Sequence, residues 1–465
     1  MSERIEDIYG YIHVTTKEIS RGGQGVVFRT QNPNIALKIE LDKGVDFSHN
    51  IENNKNFDSL RLLPIPENIN LTLPKATLKE YAGYIMLLLE DMDSFEALFD
   101  FSFDKVQEYD NIWLNSLKKS APDFVNVMGQ FISSGGRRRR LEAYFKVSCI
   151  LTMLHSKGLV YCDFSAKNVF MSKSLENNAV WIIDADNLNY QEETKHNGYY
   201  TPGYGAPEVI KGKGCTFYSD SYAFAVSLFW QITETHPFKG ALTENDFDQD
   251  GDFADDAEQK AYAGDLPWIF DNEDKSNFTN TRIPQAKEAL FSERLFSLFD
   301  RTFSKQGREK RQTRPTMYEW SYELARELDT SIKCTRCGMD YDVSLGKCPW
   351  CDNINKSIIL KSTVGNKQLW TFSHELIDNK DIEVPYRLLN GFRMLENDFI
   401  AFTIRFKNNE LSIANLNENY IWAVCLNKEN DYVDIYGRAS IPSKCIIKCT
   451  NKITSESVII GVSIT

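Results

Sequence analysis

Four cysteines stand in two tight pairs, Cys334-Thr-Arg-Cys337-Gly and Cys348-Pro-Trp-Cys351, with ten residues between the pairs. Thiolates at this spacing fold around one tetrahedral ion, and Gly338 and Pro349 beside them favour tight knuckles whose N–H groups bond sulfur. A structural zinc or a rubredoxin-like iron would use the same four ligands. A second chemistry is written into Ile19-Ser-Arg-Gly-Gly-Gln-Gly-Val-Val-Phe. Its glycines let the backbone approach phosphate oxygens and aim N–H groups at them, but a plain Gly-rich hairpin turn has the same composition. Shortly after it, Lys38 in Ile35-Ala-Leu-Lys-Ile is flanked by apolar residues on a predicted strand. A buried ammonium there needs an anionic partner, which an ATP phosphate pair would supply.

Two charged clusters promise less. Asp246, Asp248, Asp250, Gly251 and Asp252 imitate the start of an EF-hand loop, but the twelfth position is Ala257 instead of the bidentate Glu. A solvated acidic loop is expected there. Arg137-Arg-Arg-Arg140 reads as a solvated run, with an acidic partner as the functional alternative. Of the remaining cysteines, Cys149, Cys162, Cys215, Cys425, Cys445 and Cys449, most read as small buried hydrophobes.

The elements that must position these groups change character along the chain. Short apolar runs alternate with turn signals from about 10 to 100, as in Tyr11-Ile-His-Val, Val26-Val-Phe and Tyr84 to Leu89, and predict a small antiparallel sheet. From about 103 to 330 helical spacing takes over in Leu141 to His155, Ser219 to Glu234 and Ala286 to Phe303. The acidic stretch between Pro237 and Ile283 interrupts it and is expected as a surface excursion. Strand-like alternation returns after the cysteines, in Phe399 to Phe406, Tyr432 to Tyr436, Lys444 to Lys448 and Val458 to Ile464.

The 465 residues suffice for about three domains and a large core. With 53 Lys+Arg against 65 Asp+Glu the net charge is −12, which argues against a dedicated nucleic-acid binder, and only Lys333, Arg336 and Lys347 lie near the cysteine pairs. The acidic Met1 to Asp7 has no apolar run behind it, and the longest apolar stretch, Tyr222 to Trp230, is too short for a bilayer. A cytoplasmic protein without a membrane span is expected. Ten cysteines make too thin a framework for disulfides in so long a chain.

An ordered series of motifs then follows: Leu154-His-Ser-Lys-Gly-Leu-Val-Tyr-Cys-Asp163-Phe-Ser-Ala-Lys-Asn168-Val-Phe, Val180-Trp-Ile-Ile-Asp184-Ala-Asp, Thr201-Pro-Gly-Tyr-Gly-Ala-Pro-Glu208, Asp220 and Arg314-Pro-Thr. Together these resemble the eukaryotic-type (Hanks-type) protein kinases over residues 10–330. The resemblance implies an α+β, two-lobed fold, with an antiparallel β N-lobe over about 10–92 and a mainly α C-lobe over about 93–330. A zinc ribbon with four cysteine ligands over 331–354 and a sandwich-like all-β domain over 358–465, resembling forkhead-associated domains, would follow. The resemblance also implies ATP held by Gly22, Gly23, Gln24, Gly25, Val27, Ala36 and Lys38, with the hinge at Glu90 and Met92, and Glu52 as the partner of Lys38 with Asp58 behind it. Asp163 would be the catalytic base, Lys167 would supply charge to the γ-phosphate, Asn168 and Asp184 would hold Mg²⁺, and Glu208 would pair with Arg314.

Departures from the pattern are Ser20 for the first loop glycine, Tyr161-Cys162 before the catalytic aspartate, Ser165 for the lysine two residues after it, and Asp184-Ala-Asp for Asp-Phe-Gly. The last leaves Asp186 as a rival metal ligand. The expected activity is transfer of the γ-phosphate to Ser/Thr hydroxyls of a protein, Tyr being possible. A pseudokinase scaffold that binds nucleotide and recruits partners through ribbon and tail is the alternative. Kinases with an appended ribbon are similar to those of bacterial tellurite-resistance-type systems, which implies a metal-dependent phosphatase and a von Willebrand A-type protein as partners.

Overall fold

A computed structural model describes residues 3–22, 25–102, 111–193, 200–244, 252–396, 399–425 and 431–465. The chain divides into two compact units, one made of Met1–Asp100, Lys146–Asn280 and Phe299–Tyr318, the other of Phe101–Phe145, Thr281–Leu298 and Glu319–Thr465.

The first unit begins with an antiparallel sheet in the order Arg4–Glu6, Ile12–Arg21, Gly25–Thr30, Ile35–Asp42, Gly83–Leu87, Ala76–Thr77, with Asp46–Phe47 added onto Ile35–Asp42. Period-2 alternation sends Leu37, Ile39 and Ile85 to one face, where they bury with Ile5, Ala76 and Leu78. The opposite alternation sends Lys38 and Tyr84, directly cross-strand neighbours, to the other face. The short helix Asn54–Leu60 packs there through Phe57, whose ring meets Tyr84 at 4.8 Å. Gly25 is required by close approach, because a Cβ would lie 2.8 Å from the Ile39 carbonyl oxygen.

Short ribbons carry the loops that follow: Val180–Ile182, Val169–Ser172 and Met92–Ser94 form one sheet, and Asn189–Tyr190 pairs with Leu159–Val160. Behind them the helix Phe217–Thr233 opens on a capping box, Thr216 with Ser219, and is buried along almost its whole length. Of its buried polar residues, Asp220 accepts the Tyr161 and Cys162 N–H groups and Ser221 donates to the Pro315 carbonyl, as a helix in the middle of a core requires. Apolar residues flanking the acidic stretch expected as a surface excursion join that core, while Asp265 and the residues from Asn272 to Ser276 stay exposed. Trp268 and Ile269 are buried, Trp268 meets Phe229 and Phe303, and the helix Asp252–Tyr262 buries Ala257 and Ala261. The apolar Trp268-Ile-Phe run turns inward between exposed carboxylates at Asp265 and Glu273. Asp246, Asp248, Asp250 and Gly251 lie outside the described residues.

In the second unit three arginines of the basic run are buried, contrary to expectation: Arg137, Arg139 and Arg140 are at most 5 % exposed, while Arg138 is partly exposed. The run starts the helix Gly136–His155, and each guanidinium finds oxygen acceptors. Arg137 pairs with Glu327 and donates to Ser331 Oγ and the Leu290 carbonyl. Arg140 donates to Phe131, Ser134 and Gly136 and stacks over the Phe131 ring. Buried charge is tolerable only when paired in this way. The cysteines follow around the hairpin Ser331–Lys333/Asp340–Asp342. Beyond them lies an antiparallel sheet in the order Lys367–Glu375, Ser357–Val364, Ser457–Ile464, Cys445–Asn451, Tyr420–Cys425, Tyr432–Ile435. A second has the order Asp381–Pro385, Ile400–Lys407, Glu410–Ala414, Ala439–Ile441. Phe402 of the second sheet meets Trp422 of the first, ring to ring at 5.2 Å.

Candidate active site and metal centre

Lys38 is buried, and its ammonium lies 2.5 Å from both Asp184 Oδ1 and Asp186 Oδ2. Burial alone would lower its pKa, but the charges of Asp186 and Asp184 outweigh that and raise it. The same contacts divide the two carboxylates. Burial raises both, yet the attraction and hydrogen bond of Lys38 hold Asp184 below its ordinary value, whereas Asp186 is pushed up to about 6. The Tyr84 hydroxyl donates to the other oxygen of Asp186 at 2.7 Å. Asp184 takes a left-handed φ of 57° and leads into the 3-10 turn Ala185–Asn187, which is how two acids one residue apart reach one ammonium.

Asp163 is fixed from several sides. Its Oδ1 accepts from the Thr201 hydroxyl at 2.8 Å, its backbone carbonyl accepts from Asn168 Nδ2 at 2.9 Å, and burial raises its pKa. Cys162, just before it, has φ 74°, a strained value for a side chain with a Cβ. Asp220 holds that turn by accepting the Tyr161 N–H at 2.8 Å and the Cys162 N–H at 2.9 Å, with His155 Nε2 on the same carboxylate at 3.0 Å. The Tyr161 hydroxyl donates to the Ile183 carbonyl, and the Ile183 N–H donates to the Asn168 carbonyl, so the segments bearing Asp163, Asn168 and Asp184 are tied together. Glu208 and Arg314 form a two-pronged ion pair, each contact 2.8 Å, with the guanidinium wholly buried.

Lys38, Asp163, Asn168 and Asp184 are thus connected through direct contacts or one intervening residue, while other expected residues stand apart. Glu52 is exposed and pairs with Lys55, and Asp58 pairs with Arg61, so neither meets Lys38. Lys167 is exposed, 3.6 Å from Glu96. Glu90 pairs with Arg29 at 3.3 Å. Val27 faces Lys38 across the strand pair, Ala36 is buried, and Met92 opens the strand Met92–Ser94. The Gly22 N–H closes the hairpin onto the Gly25 carbonyl at 2.9 Å, and Gly23 and Gln24 lie outside the described residues. Sequence reasoning missed Tyr84, whose position opposite Lys38 follows only from strand register. It also missed Thr201, which stands in a quoted motif without having been given a role.

The four sulfurs of Cys334, Cys337, Cys348 and Cys351 lie within 4.8 Å of one another. Two of the separations are 3.6 and 3.5 Å. Sulfurs bound at ~2.3 Å to one tetrahedral ion stand about 3.8 Å apart, so the donor set fits zinc. The knuckles repeat one backbone pattern. Cys334 and Cys348 N–H groups donate to the Met339 and Asn353 carbonyls, and the Gly338 and Asp352 N–H groups return to Cys334 and Cys348. The fourth residue after each leading cysteine is left-handed, Gly338 at φ 74° and Asp352 at φ 56°. Asp352, and not Pro349, therefore supplies the turn of the second knuckle.

Residues 136–322 match the protein kinase domain model. The chain is also similar to the proto-oncogene serine/threonine-protein kinase mos of Sus scrofa, 31 % identical over 117 residues, covering 23 % of this chain and 32 % of that protein. It is similar to protein kinase C delta type of Homo sapiens, 31 % identical over 116 residues, 23 % of this chain and 17 % of that protein. With rhodopsin kinase GRK1 of Homo sapiens it shares 34 % identity over 107 residues, 22 % of this chain and 18 % of that protein. The chain spans less than a third of the length of each of these relatives. Among the described residues, no helix is long and apolar enough to cross a membrane.

Proposed function

We propose that this protein is an ATP- and Mg²⁺-dependent protein kinase that transfers the γ-phosphate to a Ser or Thr hydroxyl of a protein substrate. The observation that carries the reading is the linkage of Lys38, Asp184, Asn168 and Asp163 through direct contacts and short backbone bonds. Asp184 and Asn168 are oxygen donors of the kind Mg²⁺ takes, and Asp184 keeps about a third of its side chain exposed. When bound, the metal would neutralise charge on the phosphate oxygens. Lys38 orients the phosphates, Asp163 accepts the proton of the incoming hydroxyl, and Thr201 fixes the rotamer of Asp163. The ribbon is proposed to hold zinc structurally. A bacterial tellurite-resistance-type setting, with a metal-dependent phosphatase and a von Willebrand A-type protein, rests on the resemblance alone.

Incubation of the purified chain with labelled ATP and Mg²⁺, followed by phosphosite mapping, tests the reading. Asp163→Asn and Lys38→Met should each remove most of the transfer while leaving the fold intact. Wild-type incorporation in both variants refutes the assignment. Tight ATP binding without transfer makes the fold a nucleotide-binding scaffold instead.

A further inference from the structure

The helix Asn54–Leu60 buries Asn54, Phe57 and Leu60, and none of these is acidic. Asn54 is committed to backbone, donating to the Leu78 and Tyr81 carbonyls and accepting the Gly83 N–H. Glu52 and Asp58 are taken up by Lys55 and Arg61. Among the described residues, the carboxylates on Lys38 come from the Asp184-Ala-Asp186 segment.

Those two acids are anchored unequally. Asp186 is gripped by two prongs from one strand pair, the Lys38 ammonium on one oxygen and the Tyr84 hydroxyl on the other. Its side chain is 17 % exposed, against 32 % for Asp184. Asp184 meets Lys38 through Oδ1 and lies beside Asp186, and it is the more exposed of the two. A lysine facing two carboxylates also sits in a net negative pocket, which repels phosphate until one carboxylate is neutralised.

We propose that Asp186 is the standing counter-ion that positions Lys38 in this chain, replacing an acid from the neighbouring helix and leaving Asp184 for the metal. This rests on the kinase reading above and assigns Asp186 as a positioning residue, one that acts through Lys38 without touching the reacting atoms. Tyr84 secures its rotamer.

The test is calorimetric titration of the full chain with ATP, once with Mg²⁺ and once with EDTA, alongside steady-state kinetics. Asp186→Asn should bind ATP several-fold tighter in EDTA, keep the gain in affinity from Mg²⁺, and lose roughly tenfold or more in kcat. Tyr84→Phe should move the same quantities in the same directions by about two- to threefold, in a protein that keeps its packing. Asp184→Asn should lose the Mg²⁺-dependent gain, and Asp186→Glu should recover part of kcat. If Asp186→Asn loses the Mg²⁺ gain while Asp184→Asn keeps it, the roles are reversed and the proposal is overturned. Unchanged kcat and affinities in Asp186→Asn overturn it equally. Should the wild type bind ATP but transfer nothing, the kinase reading fails while the titrations with and without metal still decide between the two aspartates. A wild type that binds no ATP under either condition sinks both.

Discussion

His236 is 2 % exposed, and both its ring nitrogens are engaged in a way that fixes the neutral form. Nε2 donates to the Gly203 carbonyl at 2.9 Å, and Nδ1 accepts the Phe238 N–H at 3.3 Å. The rings of Trp230, Tyr262 and Phe238 lie 5.1, 5.0 and 6.0 Å away. A proton on Nδ1 would face another donor inside an aromatic cage, and burial pushes the pKa from 6.5 down to about 3. The unfolded chain therefore binds a proton that the folded chain refuses, so stability is full above pH 6.5 and is lost as pH falls towards 3. At ~1.36 kcal/mol per pH unit, acidification to about pH 5 should remove about 2 kcal/mol. His236→Gln keeps a donor for Gly203 and cannot titrate, so its stability should be flatter by that amount, whatever the substitution costs at neutral pH. Hydrogen exchange in peptides covering Phe217–Thr233, corrected for intrinsic rates, reads the effect within the first unit. Equal acid slopes in the two proteins would show that His236 is protonated in the fold and that the cage has been misread.

Elemental analysis should find about one zinc per chain, and Cys334→Ser should release it and loosen the hairpin Ser331–Lys333/Asp340–Asp342; metal-free protein with native proteolytic resistance would contradict the zinc assignment. Arg314→Leu leaves the buried Glu208 carboxylate unpaired and should lower stability by about 3–5 kcal/mol in denaturant melts, whereas a loss below ~1 kcal/mol would mean that Glu208 finds water. Asp352→Gly relieves a left-handed residue in the second knuckle and should raise stability by about 1 kcal/mol with zinc content unchanged; a loss would show that the ion pair of Asp352 with Lys347 matters more than its backbone.

What could be read from sequence was whatever rests on local pattern. The strands around Val26, Ile35 and Tyr84 and the helices around Val147 and Phe224 lie where alternation and helical spacing put them. The strands Asp381–Pro385 and Glu410–Ala414 went unseen although Ile382/Val384 and Leu411/Ile413 alternate, because each carries only two inward residues and its pairing partners define it. The partner of Lys38 was misplaced for a related reason. A helix acid and an acid two residues after Asp184 look equally available in sequence, and only the register of Lys38 with Tyr84 favours Asp186. The basic run failed differently: charge predicts exposure on average, but Arg137 meets Leu290, Glu327 and Ser331, acceptors that no local window contains.

That last arrangement also sets a timetable for synthesis. Arg137 and Glu327 are 190 residues apart, an interval of roughly 10 to 40 seconds at ordinary elongation rates. Through that interval Arg137 has emerged and its Glu327 and Ser331 acceptors have not, whereas Arg140 finds Phe131, Ser134 and Gly136 close by in sequence. A bare apolar group would expose the nascent chain to aggregation, but the guanidinium of Arg137 stays hydrated until its acceptors arrive. Ser331 and the sheets beyond it belong to the same unit, so a chain cut after Leu328 would strand Arg137 with one acceptor removed.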